Sequence, residues 1–170
     1  HHALRVILLG GEFIPMALIE ACEKKSLPIY KTYGMTETFS QSVTFSVLEY
    51  PHKRESVGKP LPGMQVRIDN SDTDGVGEIH LTGPMVMTGY INKEPIDGDF
   101  NTDDIGYIDE DGFIYILNRR KDLIISGGEN VYPKELEDLV YTLPSVKECA
   151  VVPVPDAKWG QVPALFVAFH

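Results

Sequence analysis

The sequence predicts a mixed α/β and α+β protein: a β-α-β unit and an antiparallel, barrel-like layer of short strands, followed by a small α+β unit. Three observations lead there. Apolar runs of strand length alternate with one helical pattern in the first 33 residues. Short runs punctuated by Gly and Pro fill 56–117. Beyond residue 122, strands flank a single amphipathic helix. A chain of 170 residues with 43% apolar and 24% charged content can build a core without disulfides.

Leu4 to Leu9, ended by Gly10 and Gly11, reads as a buried strand leaving a sheet into a tight turn. Pro15 suits the first turn of a helix carrying Leu18, Ala21 and Cys22, which stops at Lys24 and Lys25. Pro28 to Tyr33 is the returning strand. Further strands are expected at Met64 to Asp69, at Glu78 to Thr82 and on both sides of the Asp109 to Gly112 hairpin signal, with Ser71 to Gly77 as a polar turn. The charged stretch Asn118 to Asp122 marks a boundary near Lys121, dividing 1–120 from 121–170. After it come a strand at Leu123 to Ile125, a loop at Gly127 and Gly128, and a helix opened by Pro133 with the apolar stripe Leu136, Leu139, Val140 and Leu143. Strands at Val146 to Val152 and Ala164 to Phe169 complete the unit.

Fifteen Lys and Arg against 25 Asp and Glu leave a net charge of −10, which repels a phosphate backbone and argues against nucleic acid as a partner. Cys22 and Cys149 lack metal spacing and read as reduced core thiols, so a cytoplasmic location is expected. No apolar run approaches the roughly 20 residues of a membrane helix, and no secretory leader is visible. The five histidines show no ligand spacing, and no structural metal is expected.

Four clusters of Gly, hydroxyl and acidic residues can carry chemistry: LLGGEFIP, TYGMTETFSQ, FNTDDIGYID and NRRKDLIISGGENVYP. Thr36 offers a hydroxyl to a phosphate oxygen, and Glu37 a carboxylate to a hard cation such as Mg²⁺. Asp104 has two acceptor oxygens, enough for a ribose diol. Each also has a plain structural reading: a strand end with a solvated acid, a turn carboxylate, and for Arg119 to Lys121 an exposed basic edge.

Taken in order, YGMTET, GEIHLTGPMVMTGY, FNTDDIG and NRRKDLIISGGENVYPKELE resemble the adenylate-forming superfamily of acyl-CoA synthetases, luciferases and adenylation domains, over essentially the whole chain. LLGGEFIP, TYGMTETFSQ, RRKDLIISGGENVYP and DAKWGQVPALFV are most similar to its o-succinylbenzoate–CoA ligase branch, which serves menaquinone biosynthesis.

The resemblance implies an ATP-dependent, AMP-forming ligase that uses Mg²⁺, an aromatic carboxylic acid and coenzyme A. Residues 1–120 would be the C-terminal part of the large AMP-binding domain and 121–170 the start of a small mobile domain. It further implies that Gly10, Gly11 and Glu12 line the adenine and acyl pocket, and that Tyr33, Gly34 and Met35 adjoin the nucleotide. Thr36 and Glu37 would meet the α-phosphate and Mg²⁺, Asp104 the ribose with help from Arg119, and Ile116 the base. Gln41, which follows Ser40, would border the acyl group, with local backbone bonding as its alternative role. Lys121 would be the hinge, and Gly127 and Gly128 the lining of the pantetheine channel. The family's phosphate loop and C-terminal lysine are not found here, so the chain is expected to be a fragment, inactive alone, and a homo-oligomer is left open. Asp103 stands where the family usually has Gly. Another acyl- or aryl-CoA ligase and a noncatalytic nucleotide-binding module are the alternatives.

Overall fold

The computed structural model describes residues 3–11, 14–119 and 122–170, in two compact units: 1–102 with 106–116, and 103–105 with 117–170. The expected β-α-β unit opens the first. Strands β1 (Ile7–Leu9) and β2 (Ile29–Tyr33) run parallel, Ile7 beside Ile29, around helix α1 (Met16–Lys24). Pro15 caps the helix from outside, its carbonyl accepting the Leu18 amide at 3.0 Å. Ile19 is the helix's fully buried residue and Cys22 packs on the same core, whereas Leu18 and Ala21, expected inside, are exposed. Leu18 sits about 100° and Ala21 about 200° around the helix from Ile19, so burying Ile19 turns both away.

Two strands not anticipated extend this sheet to the order β1-β2-β3-β4: β3 (Val43–Ser46), antiparallel to β2 with Tyr33 beside Val43, and the short β4 (Lys59–Pro60). Their hydroxyl and Pro content hid them. In β3, Val43 and Phe45 are nevertheless buried. Phe45 meets Phe113 edge to face at 5.6 Å in a cluster with Ile19, Ile29 and Val47, and Val43 joins Ile79 and Ile114 in a second.

The second sheet follows chain order: β5 (Gln65–Asp69), β6 (Gly77–Thr82), β7 (Asp99–Ile108) and β8 (Ile114–Arg119). Asp109 forms the predicted hairpin by accepting the amides of Asp111 and Phe113 on Oδ1, while Lys53 pairs with both Asp109 and Asp111. Along β6, Ile79 and Leu81 enter the apolar core and His80 turns to a buried polar face. There Arg67 donates to both oxygens of Asp99, at 3.3 and 2.7 Å, and His80 Nδ1 lies 2.9 Å from Asp99 Oδ2.

In the second unit the sheet order is β10-β9-β12-β11, with β9 (Ile124–Ser126), β10 (Glu129–Val131), β11 (Val146–Asp156), β12 (Gly160–Phe169) and helix α2 (Pro133–Val140). The last two strands are longer than expected because Pro153 and Pro163 pair across the hairpin instead of ending it. The Val151 amide, two residues from Pro153 and so on the same edge, donates outward to Glu137 of α2 at 2.8 Å. Proline at such an outward position forfeits no ladder bond. The α2 stripe is also corrected: Leu136 and Leu139 are exposed, Leu139 by 67%, and Leu143 lies beyond the helix. The face turned to β11 carries Glu137 and Tyr141, whose hydroxyl accepts the Cys149 amide at 3.3 Å. Cys22 and Cys149 are free and half-buried; burial, foremost, pushes the Cys149 thiol up.

Asp103 adopts φ 60° inside β7, the left-handed region that glycine enters freely and Asp tolerates better than branched residues. Asp103→Val is expected to cost about 1–2 kcal/mol in urea unfolding, and Asp103→Gly to be tolerated. The Arg67 guanidinium, first, with His80 assisting against partial burial, holds the Asp99 carboxyl below its ordinary value. A depressed folded pKa stabilises above the unfolded value of about 3.9, and that contribution is lost as pH falls through the folded value. Thermal unfolding from pH 5 to pH 2 should therefore show a flatter acid limb in Asp99→Asn than in the unmodified chain.

Candidate functional site

The motif TYGMTETFSQ becomes a single tight turn at the end of β2. Thr38, fully buried, accepts the Met35 amide on its hydroxyl at 3.1 Å and donates back to the Met35 carbonyl at 3.3 Å. The Phe39 amide donates to Thr36, the Ser40 amide to Met35, and the Ser42 amide to Tyr33. Phe39 and Ser40 both take positive φ, 56° and 90°. Such a reversal brings the Ser40 carbonyl so near Gly34 that a Cβ on Gly34 would lie 1.8 Å from it, so only glycine fits. At the apex Thr36 is exposed and Glu37 is half-buried.

Other predicted residues gather around this turn. Gly10 abuts Thr32 of β2, where a Cβ would come within 2.5 Å of the Thr32 methyl, while Gly11 faces open space at φ 88°. The Thr32 hydroxyl lies 3.0 Å from Gln41 Oε1, to which it donates, and 3.1 Å from the Val43 carbonyl. Thr32 thereby links Gly10 to Gln41. Sequence reasoning passed over it, although its place on the strand leading into the motif was a usable signal. Tyr33 and Ile116 pack on the same apolar cluster of Val43, Ile79 and Ile114.

A second missed residue is Tyr90, whose hydroxyl donates to Glu37 Oε1. The Met87 amide also donates to the Glu37 carbonyl at 2.8 Å, so the segment after β6 is tied to the turn at two points. Its motif, TGPMVMTGY, was visible, but a Tyr between Gly and Ile carries no chemical signal by itself. No three His, Cys, Asp or Glu side chains converge as a cation site among the described residues. A single carboxylate, such as that of Glu37, could hold Mg²⁺ only together with phosphate and water oxygens, the usual way that ion is held.

In the second unit β7 and β8 place Asp104 against Arg119. Asp104 is 3% exposed, and Arg119 Nε lies 3.4 Å from Oδ1 with its side chain more than half in solvent. Burying a carboxylate demands such a partner. Gly127 and Gly128 form the two-residue turn between β9 and β10, both at positive φ, 60° and 92°. They differ in surroundings: a Cβ on Gly127 would strike the Trp159 ring at 2.4 Å, whereas Gly128 faces open space. Glu12 and Lys121 lie outside the described residues, so the hinge assignment does too.

No helix of the described residues is long and apolar enough to cross a membrane. The chain is 65% identical over 97% of its length to the 2-succinylbenzoate–CoA ligase of Lactococcus lactis subsp. lactis, and 49% identical to that of Bacillus cereus strain ATCC 14579. It superposes with TM-scores of 0.91 and 0.89 on the o-succinylbenzoate CoA synthetase of Bacillus subtilis. Those two structures, solved with the acyl-adenylate intermediate and with ATP and magnesium, are 43% and 42% identical, and 98% of the chain is covered in each. The chain spans 36–37% of the length of these relatives. The AMP-binding enzyme C-terminal domain matches residues 135–170. The AMP-binding enzyme family matches residues 1–91, more than half of the 170, and the chain belongs to that family.

Proposed function

We propose that this chain is part of an ATP-dependent ligase that converts o-succinylbenzoate to its CoA thioester. The observation that carries the reading is the turn at Thr36 and Glu37, where a buried Thr38 and a backbone contact open only to glycine hold a hydroxyl and a carboxylate side by side. Relatives 65% and 49% identical that bear the name of that ligase support the choice of acid.

In the first half-reaction an oxygen of the acid attacks the α-phosphorus of ATP and the bond to pyrophosphate breaks, leaving acyl-AMP. In the second, the CoA sulfur bonds to the acyl carbon, its proton is released and AMP departs. The Thr36 hydroxyl donates to an α-phosphate oxygen, and Glu37 ligates Mg²⁺. That ion, when bound, offsets phosphate charge that the net −10 of the chain would otherwise repel. Asp104 accepts the ribose hydroxyls, with Arg119 as the opposite charge beside it in its buried place. Gly10, Gly11, Glu12, Tyr33, Gly34, Met35 and Ile116 border the nucleotide, Gln41 the acyl group. Lys121 serves as the hinge that brings the Gly127–Gly128 turn into use for thioester formation. Free half-buried thiols and these cosubstrates suit the cytoplasm.

In the full-length protein, ATP–pyrophosphate exchange should appear with o-succinylbenzoate and not with a panel of other aromatic and aliphatic acids. Exchange with another acid alone would transfer the reading to a different ligase, and none with any acid would leave a noncatalytic module. Asp104→Ala should raise the KM for ATP about tenfold, the scale of a lost charge-assisted hydrogen bond. Gly128→Val should lower CoA thioester formation by about a hundredfold and spare pyrophosphate exchange, because its side chain, besides straining the backbone at φ 92°, would enter open space the thiol arm needs.

A further inference from the structure

Tyr90 is half-exposed, makes no part of either apolar cluster, and directs its hydroxyl at Glu37 Oε1. The segment that presents it is tightly closed. Gly89 takes φ 140°, strained for any side chain, a Cβ there would crowd the Pro95 Cα at 3.2 Å, and the Ile96 amide donates to the Thr88 carbonyl at 2.9 Å. Asn92 at φ 63° turns the chain so that the Lys93 amide donates to the Tyr90 carbonyl and the Lys93 ammonium sits 5.1 Å above the Tyr90 ring. A cation over the ring withdraws electron density from the phenol and makes its O–H a stronger donor. Two bonds from one segment thus hold Glu37, through its backbone carbonyl from Met87 and through its carboxylate from Tyr90.

A carboxylate free to rotate loses entropy when it binds a cation; one with Oε1 already held presents Oε2 in one orientation. We propose that Tyr90 is a positioning residue for the Glu37 carboxylate, preorganising it as a Mg²⁺ ligand, and that Lys93 strengthens the phenol as donor. This role rests on the reading of Glu37 as a cation ligand. Hydrogen bonds of this kind behind a metal ligand typically change metal affinity by about 10–100-fold.

The test uses the full-length ligase with Mn²⁺ as the probe, its binding followed by electron paramagnetic resonance in the presence of a nonhydrolysable ATP analogue. Tyr90→Phe, which keeps the ring and its half-exposed place, should weaken Mn²⁺ binding about tenfold. It should raise the Mg²⁺ concentration for half-maximal pyrophosphate exchange by a larger factor than it lowers the saturating rate. In a Glu37→Gln background the same change should move Mn²⁺ affinity by less than about twofold, since the anionic ligand that Tyr90 orients is already gone. A Tyr90→Phe protein that binds Mn²⁺ normally, or one whose loss persists in the Glu37→Gln background, overturns the proposal. If Glu37→Gln alone leaves Mn²⁺ affinity unmoved, the cation reading of Glu37 fails and the role of Tyr90 with it. A loss in Glu37→Gln without any response to Tyr90→Phe refutes Tyr90 alone.

Discussion

The contact between Gly34 and the Ser40 carbonyl is the constraint on which the functional half of the first unit depends. It lets the chain reverse within seven residues while Phe39 and Ser40 occupy left-handed backbone, a strain of about 1–3 kcal/mol each. That strain persists because Thr38 is locked on both sides of Met35 and because β3 then pairs with β2. The same reversal places Val43 beside Tyr33 and so starts the second apolar cluster. Packing and site geometry therefore share a single cause. Phe39 pays for it with 89% of its side chain in solvent.

Electrostatics is arranged around scarcity. With 15 basic residues against 25 acidic ones, cations are used where carboxylates would otherwise be buried or crowded. Lys53 serves Asp109 and Asp111, Arg67 serves Asp69 and Asp99, and Arg119 stands against Asp104. The turn at Thr36 has hydroxyls and backbone amides instead. On the proposed reading, a metal ion would offset the charge of a polyanionic nucleotide at such a turn, and Glu37 would be its carboxylate ligand.

The β-α-β unit, the Asp109 hairpin and the Gly127–Gly128 turn were all legible because local chemistry decides them: a parallel pair needs a crossover helix, Asp109 accepts two nearby amides, and consecutive positive φ values call for glycine. Strand β3 was not: SVTFS alternates polar and apolar residues over a stretch too short to stand out, and its apolar side is fixed only when Phe45 meets Phe113 from a distant hairpin. The orientation of α2 was misread for a related reason. Its leucines are more apolar than Glu137, yet Glu137 faces β11 because an outward amide there requires an acceptor.

The sequence by itself determined the order of motifs, the acidic balance and the positions where only glycine can turn the chain, since each depends on residue identity within a few positions. Tertiary structure alone decided which of those residues meet. Thr32 joins Gly10 to Gln41, Arg119 reaches Asp104, and Tyr90 comes to Glu37 from 53 residues away. Such pairings depend on strand register and loop closure, set by the burial of Val43, Ile79 and Ile114 together, and no local pattern of residues encodes them.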